Sequence, residues 1–145
     1  ELMPSSYVND PYIIAQNHNM VSINTAVQID LTGQICSESL GSRQYSGTGG
    51  ATDFAAGAYM SPGGRGIVVI TSTAKNGTVS KIQPILSPGS VVSISRNWVD
   101  CIVTEYGVAH LRGTTIRQRV ERLIAIAHPD FRGELRRQAD KLMLW

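Results

Sequence analysis

Ser46-Gly-Thr-Gly-Gly-Ala-Thr-Asp-Phe54 gathers three glycines within four residues, hydroxyl side chains and a carboxylate, and it runs straight into a helix-like segment. Glycine lets a backbone N–H approach a ligand with no Cβ in the way. At a helix start such a loop offers N–H donors and the positive end of the helix dipole, which suits an oxyanion or a phosphate. The same residues also suit a tight turn between two elements, and composition alone leaves both readings open. It is not a nucleotide P-loop, since no Gly-Lys-Ser/Thr follows, and it does not complete a Rossmann fingerprint. Glu38, between Ser37 and Ser39, would be an acid or base if it projects into a cleft, and a paired or solvated carboxylate otherwise. Ser72-Thr-Ala-Lys75 has a superficial likeness to a phosphate loop and reads better as a strand end with a solvated lysine. His18, His110 and His128 have no partner at triad spacing and no metal-type spacing among them.

The elements that must position these residues follow from periodicity and turn signals. Asp10-Pro11 opens a short helix toward His18, with Asp as N-cap and Pro at the first helical position. Met20 to Leu31 alternates, with Val21, Ile23, Thr25, Val27, Ile29 and Leu31 on one side, so a single half-buried strand is predicted. Thr32-Gly33-Gln34 is its turn, and Ile35 to Leu40 returns as the second strand of a hairpin. Ala51 to Met60 reads as a helix carrying Phe54, Ala55, Ala58 and Tyr59 inward. Gly66 to Thr71 reads as a strand buried on both faces. Val79 to Leu86, Val91 to Ser95 and Asp100 to Tyr106 are further strands. Thr114 opens a helix with Ile116, Val120, Leu123, Ile124 and Ala127 on one face. His128-Pro129 breaks it, and a second helix runs from Asp130 to about Leu144 with Phe131, Leu135, Ala139 and Leu142 inward. The sum is an α/β domain with a mixed sheet flanked by helices.

Composition narrows the partners. The chain has 145 residues, 42% of them apolar and 17% charged, which fits one globular domain. A net charge of +2 with no basic, aromatic-interleaved cluster argues against nucleic acid. The basic excess between Arg112 and Lys141 reads first as a solvated helix face and second as a site for an anionic ligand or acidic partner. Cys36 and Cys101 lie far apart, without Cys-x-x-Cys, as in a reduced, cytoplasmic protein with two small core residues. No apolar run reaches membrane-span length, and Glu1-Leu-Met-Pro4 resembles no signal peptide. The chain does not begin with Met, so an N-terminally truncated piece of a longer chain is expected.

Tyr7-Val-Asn-Asp-Pro11, Met20-Val-Ser-Ile-Asn24, Cys36-Ser-Glu-Ser39, Gln44 to Phe54, Ser72-Thr-Ala-Lys75, Val103 to Gly113 and Ile126 to Arg132 carry a resemblance. Nearly end to end, and in order, residues 1–145 resemble the C-terminal domain of the acetyl-CoA hydrolase/transferase family, in the branch of 4-hydroxybutyrate and butyrate CoA-transferases. The resemblance implies the CoA-transferase fold, with an active site in a cleft between two linked α/β domains. It also implies covalent chemistry, in which a glutamate attacks an acyl-CoA to give an acyl-glutamyl anhydride and then a glutamyl-CoA thioester, which an incoming carboxylate resolves.

Carried over residue by residue, the resemblance makes Asn9 the side-chain amide donor and Gly50 the backbone N–H donor of an oxyanion hole, with Gly47 and Gly49 shaping the loop. Asn24, Glu38, Lys75 and Arg96 are the candidates for contacts to substrate or CoA, the last two toward its anionic ADP part. In the family the nucleophilic glutamate lies in a His-Thr-Glu-Met segment that this chain does not contain. Residues 1–145 alone are therefore expected to be inactive. Coenzyme A is expected as cosubstrate with no metal, and the missing N-terminal domain, acyl-CoA, a short-chain carboxylate and a second copy in a dimer are expected as partners. A hydrolase, with water resolving the intermediate, and a non-catalytic CoA- or anion-binding domain are the alternatives.

Overall fold

The computed structural model describes residues 2–145. Two short helices open it, α1 (Ser5–Val8) and α2 (Pro11–Ala15), the second capped by Asp10, whose carboxylate accepts the Tyr12 N–H at 2.8 Å. Five short strands follow: β1 (Val21–Thr25), β2 (Gln28–Asp30), β3 (Ile35–Cys36), β4 (Ser39–Leu40) and β5 (Arg43–Gln44). Helix α3 (Ala51–Met60) then leads to β6 (Arg65–Val69), β7 (Thr73–Ala74), β8 (Val79–Ser80) and β9 (Ile82–Gln83). Strands β10 (Cys101–Thr104) and β11 (Gly107–His110) and helices α4 (Ile116–Ala125) and α5 (Pro129–Lys141) complete the chain.

The principal sheet has the order β1-β6-β10-β11, parallel across its first two pairings and antiparallel at the last. A second sheet, β3-β2-β9, and two small hairpins lie beside it. The α/β, mixed-sheet expectation therefore holds, and among the described residues the helices pack on one face. Val68, Ile102 and Ala109 point to that face and join Ala55 of α3 and Val120, Leu123 and Ile124 of α4 in one core.

Three differences from the sequence reading have physical causes. The alternating run from Met20 to Leu31 is two strands in two sheets, because the chain leaves the principal sheet at the buried Ala26. In β1 the apolar Val21 and Ile23 are the exposed side and Ser22 is buried. In β2 both sides are buried, because Gln28 and Asp30 find hydrogen bonds: Gln28 Nε2 donates to Ser90 Oγ at 2.7 Å, and its Oε1 accepts from Ser87. β6, expected to be buried on both faces, is covered on one. Val91–Ser95 forms only an isolated bridge from Ile94 to Ile35, while Ile35–Leu40 and Val79–Leu86 each split into two short strands.

The helix breaks fall where the sequence puts them to within a few residues, the α4 cap being Thr115 rather than Thr114 and α5 ending at Lys141 rather than near Leu144. Thr115 and Gln118 form a capping box at α4. His128 breaks the helical run by capping α5, its Nδ1 accepting the Asp130 N–H at 3.3 Å. Leu142 is exposed, since α5 ends before it.

The Thr32-Gly33-Gln34 turn hangs on one buried carboxylate. Asp30 accepts from the N–H and hydroxyl of Thr32 at 2.9 and 2.8 Å, and from the N–H and side-chain amide of Gln34 at 3.0 and 2.7 Å. Charge-assisted bonds of this kind are worth more than neutral ones, and losing the acceptor strands buried donors. Asp30→Ala is expected to destabilise the fold by about 3 kcal/mol, read as a shift in the urea midpoint; a change under about 0.5 kcal/mol would contradict this role.

Candidate active site

The glycine loop ends in the N-terminus of α3, with Gly50 at the cap position (φ −80°, ψ 10°) and no side chain capping the first N–H groups. Open donors at a helix start carry partial positive charge. They face a cleft of about 280 Å³ lined by Asn24, Thr25, Ser37, Glu38, Ser46 through Ala51, and Ser93. The cleft sits at the carboxyl end of β1, where parallel α/β sheets bind ligands.

Asn9, in the turn between α1 and α2, brings its amide against Gly50. A Cβ on Gly50 would lie 2.5 Å from Asn9 Nδ2, so only glycine admits this approach. The Asn9 side chain makes no hydrogen bond among the described residues, leaving a free amide donor beside a helix-start N–H. On the opposite wall Glu38 is buried, and its Oε1 accepts from Ser93 Oγ at 3.2 Å. The same Ser93 hydroxyl accepts the Ser37 N–H at 2.9 Å, and the Ser93 carbonyl accepts from the Thr52 hydroxyl of α3. One serine thus couples the carboxylate wall to the helix. No motif announced it, and its distance of 55 residues from Glu38 hides the contact from local reading.

Of the sequence candidates, Asn24, Glu38, Gly47, Gly49 and Gly50 come together in the cleft; Asn9 is not among its lining residues, touches Gly50 from behind, and lines a neighbouring cavity with Ser5, Ser6, Asp10 and Asp53. Asn24 Nδ2 donates to Ser22 Oγ at 2.9 Å, which orients its carbonyl oxygen. Lys75 lies elsewhere, in the β7–β8 turn with φ +51°, lining a separate cavity of about 400 Å³ with Lys81. Arg96 is outside the cleft lining, its carbonyl accepting from Arg119 Nη1 at 3.0 Å. Cys36 and Cys101 are buried free thiols, and neither lines the cleft. Burial, then the Asp100 charge and hydrogen bond, push the Cys101 thiol up to about 11 against a smaller pull from Arg65. It is a protonated thiol at neutral pH and no nucleophile.

Glu105, just beyond β10, is a further carboxylate that matters. Its oxygens accept the Ser72 N–H at 2.9 Å and the Ser72 hydroxyl at 2.6 Å. Burial pulls its pKa upward, but the Ser72 bonds and the nearby His128 outweigh that and hold it below the ordinary carboxylate value. The stabilisation this gives is complete above the unfolded-state pKa and disappears as the pH falls through the lowered folded value. Glu105→Gln is expected to lower the melting temperature at pH 7, with the gap to wild type closing below about pH 4. A gap independent of pH would mean that Glu105 acts by shape alone.

An uncapped helix start and a glycine loop at the carboxyl edge of parallel strands, with an asparagine amide packed against Gly50, mark an α/β domain whose cleft presents backbone N–H donors. The chain belongs to the acetyl-CoA hydrolase/transferase family: the model of the family's C-terminal domain matches residues 1–139. It is 56% identical over 142 residues to the succinyl-CoA:cyclohexane-1-carboxylate CoA transferase of Geobacter metallireducens, covering 98% of this chain and 32% of that protein. It is also 56% identical over 135 residues to the 4-hydroxybutyrate coenzyme A transferase of Clostridium kluyveri, covering 93% and 32%. Among solved structures, RipA from Yersinia pestis superposes with a TM-score of 0.91 at 50% identity, covering 98% of this chain and 32% of that one. The chain thus spans about a third of the length of the proteins it matches. Among the described residues, no helix is long and apolar enough to cross a membrane.

Proposed function

We propose that these residues are the C-terminal part of a CoA-transferase that moves CoA between an acyl-CoA and a short-chain carboxylate, with CoA as cosubstrate. The carrying observation is the Asn9 amide held against Gly50, which itself lines the cleft at an uncapped helix start. A glutamate from the rest of the parent chain attacks the thioester carbonyl, and the carbonyl oxygen takes up negative charge. Collapse expels the CoA thiolate and leaves an acyl-glutamyl anhydride. The thiolate then attacks the glutamyl carbonyl, releasing the first carboxylate, and an incoming carboxylate reverses the sequence. Each tetrahedral species carries an oxyanion, which Asn9 Nδ2 and the Gly50 N–H stabilise with donors already in place. The 145 residues alone supply donors without the nucleophile and are inactive in this reading. The free thiols of Cys36 and Cys101 support a reducing, cytoplasmic setting.

The test is the parent protein with butyryl-CoA and acetate, followed for acetyl-CoA and for free thiol. Acetyl-CoA formation without net thiol is the expected result. Thiol release without acetyl-CoA makes the protein a hydrolase, and neither product removes both readings.

A further inference from the structure

Glu38 is 5% exposed, yet among the described residues its side chain accepts a single hydrogen bond, from Ser93 Oγ to Oε1. Burying a charge with so little compensation is costly. Asp30, the other buried carboxylate among the described residues, shows what a structural role looks like, with four donors converging on it. No fully buried side-chain oxygen among the described residues lacks a partner, so Oε2 of Glu38, which accepts no bond, opens onto space, and the cleft is the space that Glu38 lines. Every other residue lining that cleft is uncharged. One carboxylate therefore shares the cleft with the open N–H groups of the α3 start. The backbone ties the two together. The Glu38 carbonyl accepts the N–H groups of Tyr45 at 2.8 Å and Ser46 at 3.2 Å, which holds the carboxylate and the beginning of the glycine loop as one unit.

We propose that Glu38 is a specificity-determining residue that keeps small anions out of the cleft and so reserves the Gly50 N–H for the uncharged carbonyl of a thioester. A helix start with open N–H groups attracts carboxylate, nitrate and phosphate alike. This inference builds on the CoA transfer proposed above, in which free carboxylates are consumed and released beside those donors. Each of them competes, as an anion, with the acyl-CoA for the same N–H groups. A cleft of about 280 Å³ is roughly 8 Å across, and at an effective dielectric near 20 two unit charges that far apart change a binding constant by roughly thirtyfold. The carboxylate of Glu38 imposes that penalty on every anion that enters. A neutral thioester carbonyl escapes it, so the selection is by charge rather than by shape.

The experiment uses the full-length parent and reads the change in melting temperature with nitrate, a planar anion that is not a carboxylate substrate; comparing variants at equal nitrate cancels the general effect of salt. Glu38→Gln keeps the side-chain length and an acceptor for Ser93 but removes the charge. It is expected to bind nitrate at least about tenfold more tightly than wild type, while Glu38→Asp, which keeps the charge, stays within about threefold. Equal nitrate affinity in wild type and Glu38→Gln overturns the proposal. So does weaker acyl-CoA binding in Glu38→Gln with nitrate unchanged, since Glu38 would then be accepting a bond from the CoA thioester itself. If Glu38→Gln does not fold, the wild type decides. Acetate is then expected to bind no more tightly than acetamide, its uncharged analogue, and a preference for acetate of more than about tenfold would sink the idea. Melting shifts need no turnover. A parent that transfers no CoA but gains nitrate affinity in Glu38→Gln keeps this inference and removes the transferase reading, and an active transferase without that gain does the reverse.

Discussion

Gly50→Ala in the full-length parent is expected to lower kcat by about a hundredfold while leaving the unfolding midpoint within about 1 kcal/mol of wild type. Backbone strain is not the reason, since φ −80° and ψ 10° are open to alanine. The new Cβ would sit 2.5 Å from Asn9 Nδ2 and 3.2 Å from its Cγ. The flexible amide gives way, and one oxyanion donor is lost from its position. Asn9→Ala is expected to cost about as much by itself, and the double variant about as much as either single one, because both remove the same donor. Multiplying losses would show that the two residues act separately. A Gly50→Ala enzyme of normal kcat would end the oxyanion-hole assignment.

The second large effect lies one layer beneath the cleft. Helices α2 and α3 meet where Gly57 rests on Ile14, and a Cβ there would fall 2.5 Å from Ile14 Cγ2, 2.6 Å from its Cβ and 3.2 Å from the Pro11 carbonyl. Asn9 precedes α2 and Gly50 precedes α3, so this contact sets the spacing of the two donors. Gly57→Val is expected to destabilise by about 3 kcal/mol, overpacking outweighing the gain from removing a helical glycine, and to lower kcat in the molecules that remain folded. Ile14→Ala in the same chain is expected to restore part of the stability, as measured by urea unfolding. If Ile14→Ala only adds to the loss, the clash is not the cause.

What the sequence disclosed was local. The Asp10-Pro11 start, a helix opening at Thr114 (capped one residue later, at Thr115), the His128-Pro129 break and the glycine loop all depend on neighbours within a turn or two, and all are present. Alternation in Met20–Leu31 could give a period but not the covered face, because that is decided by β6 more than forty residues away and by α3 packed behind it. Burial of Gln28 is likewise settled by the distant Ser87 and Ser90. At the cleft, Gly47, Gly49 and Gly50 were named through the motifs of the family resemblance, as was the neighbouring Asn9. Ser93 and the Ser72–Glu105 clamp were not, since each joins segments with no pattern linking them. Lys75 and Arg96 were named for their charge alone, and charge carries no information about which cavity a side chain reaches.

The pairing of β1 with β6 also has a consequence in time. Val21 pairs with Arg65, 44 residues later. At a synthesis rate of roughly 5–20 residues per second, β1 leaves the ribosome about 2–9 seconds before β6, its neighbour in this sheet among the described residues, exists. For that interval Val21 and Ile23 lie on an uncharged strand that lacks its β6 partner, a segment that nascent chains protect with chaperones or with structure already made.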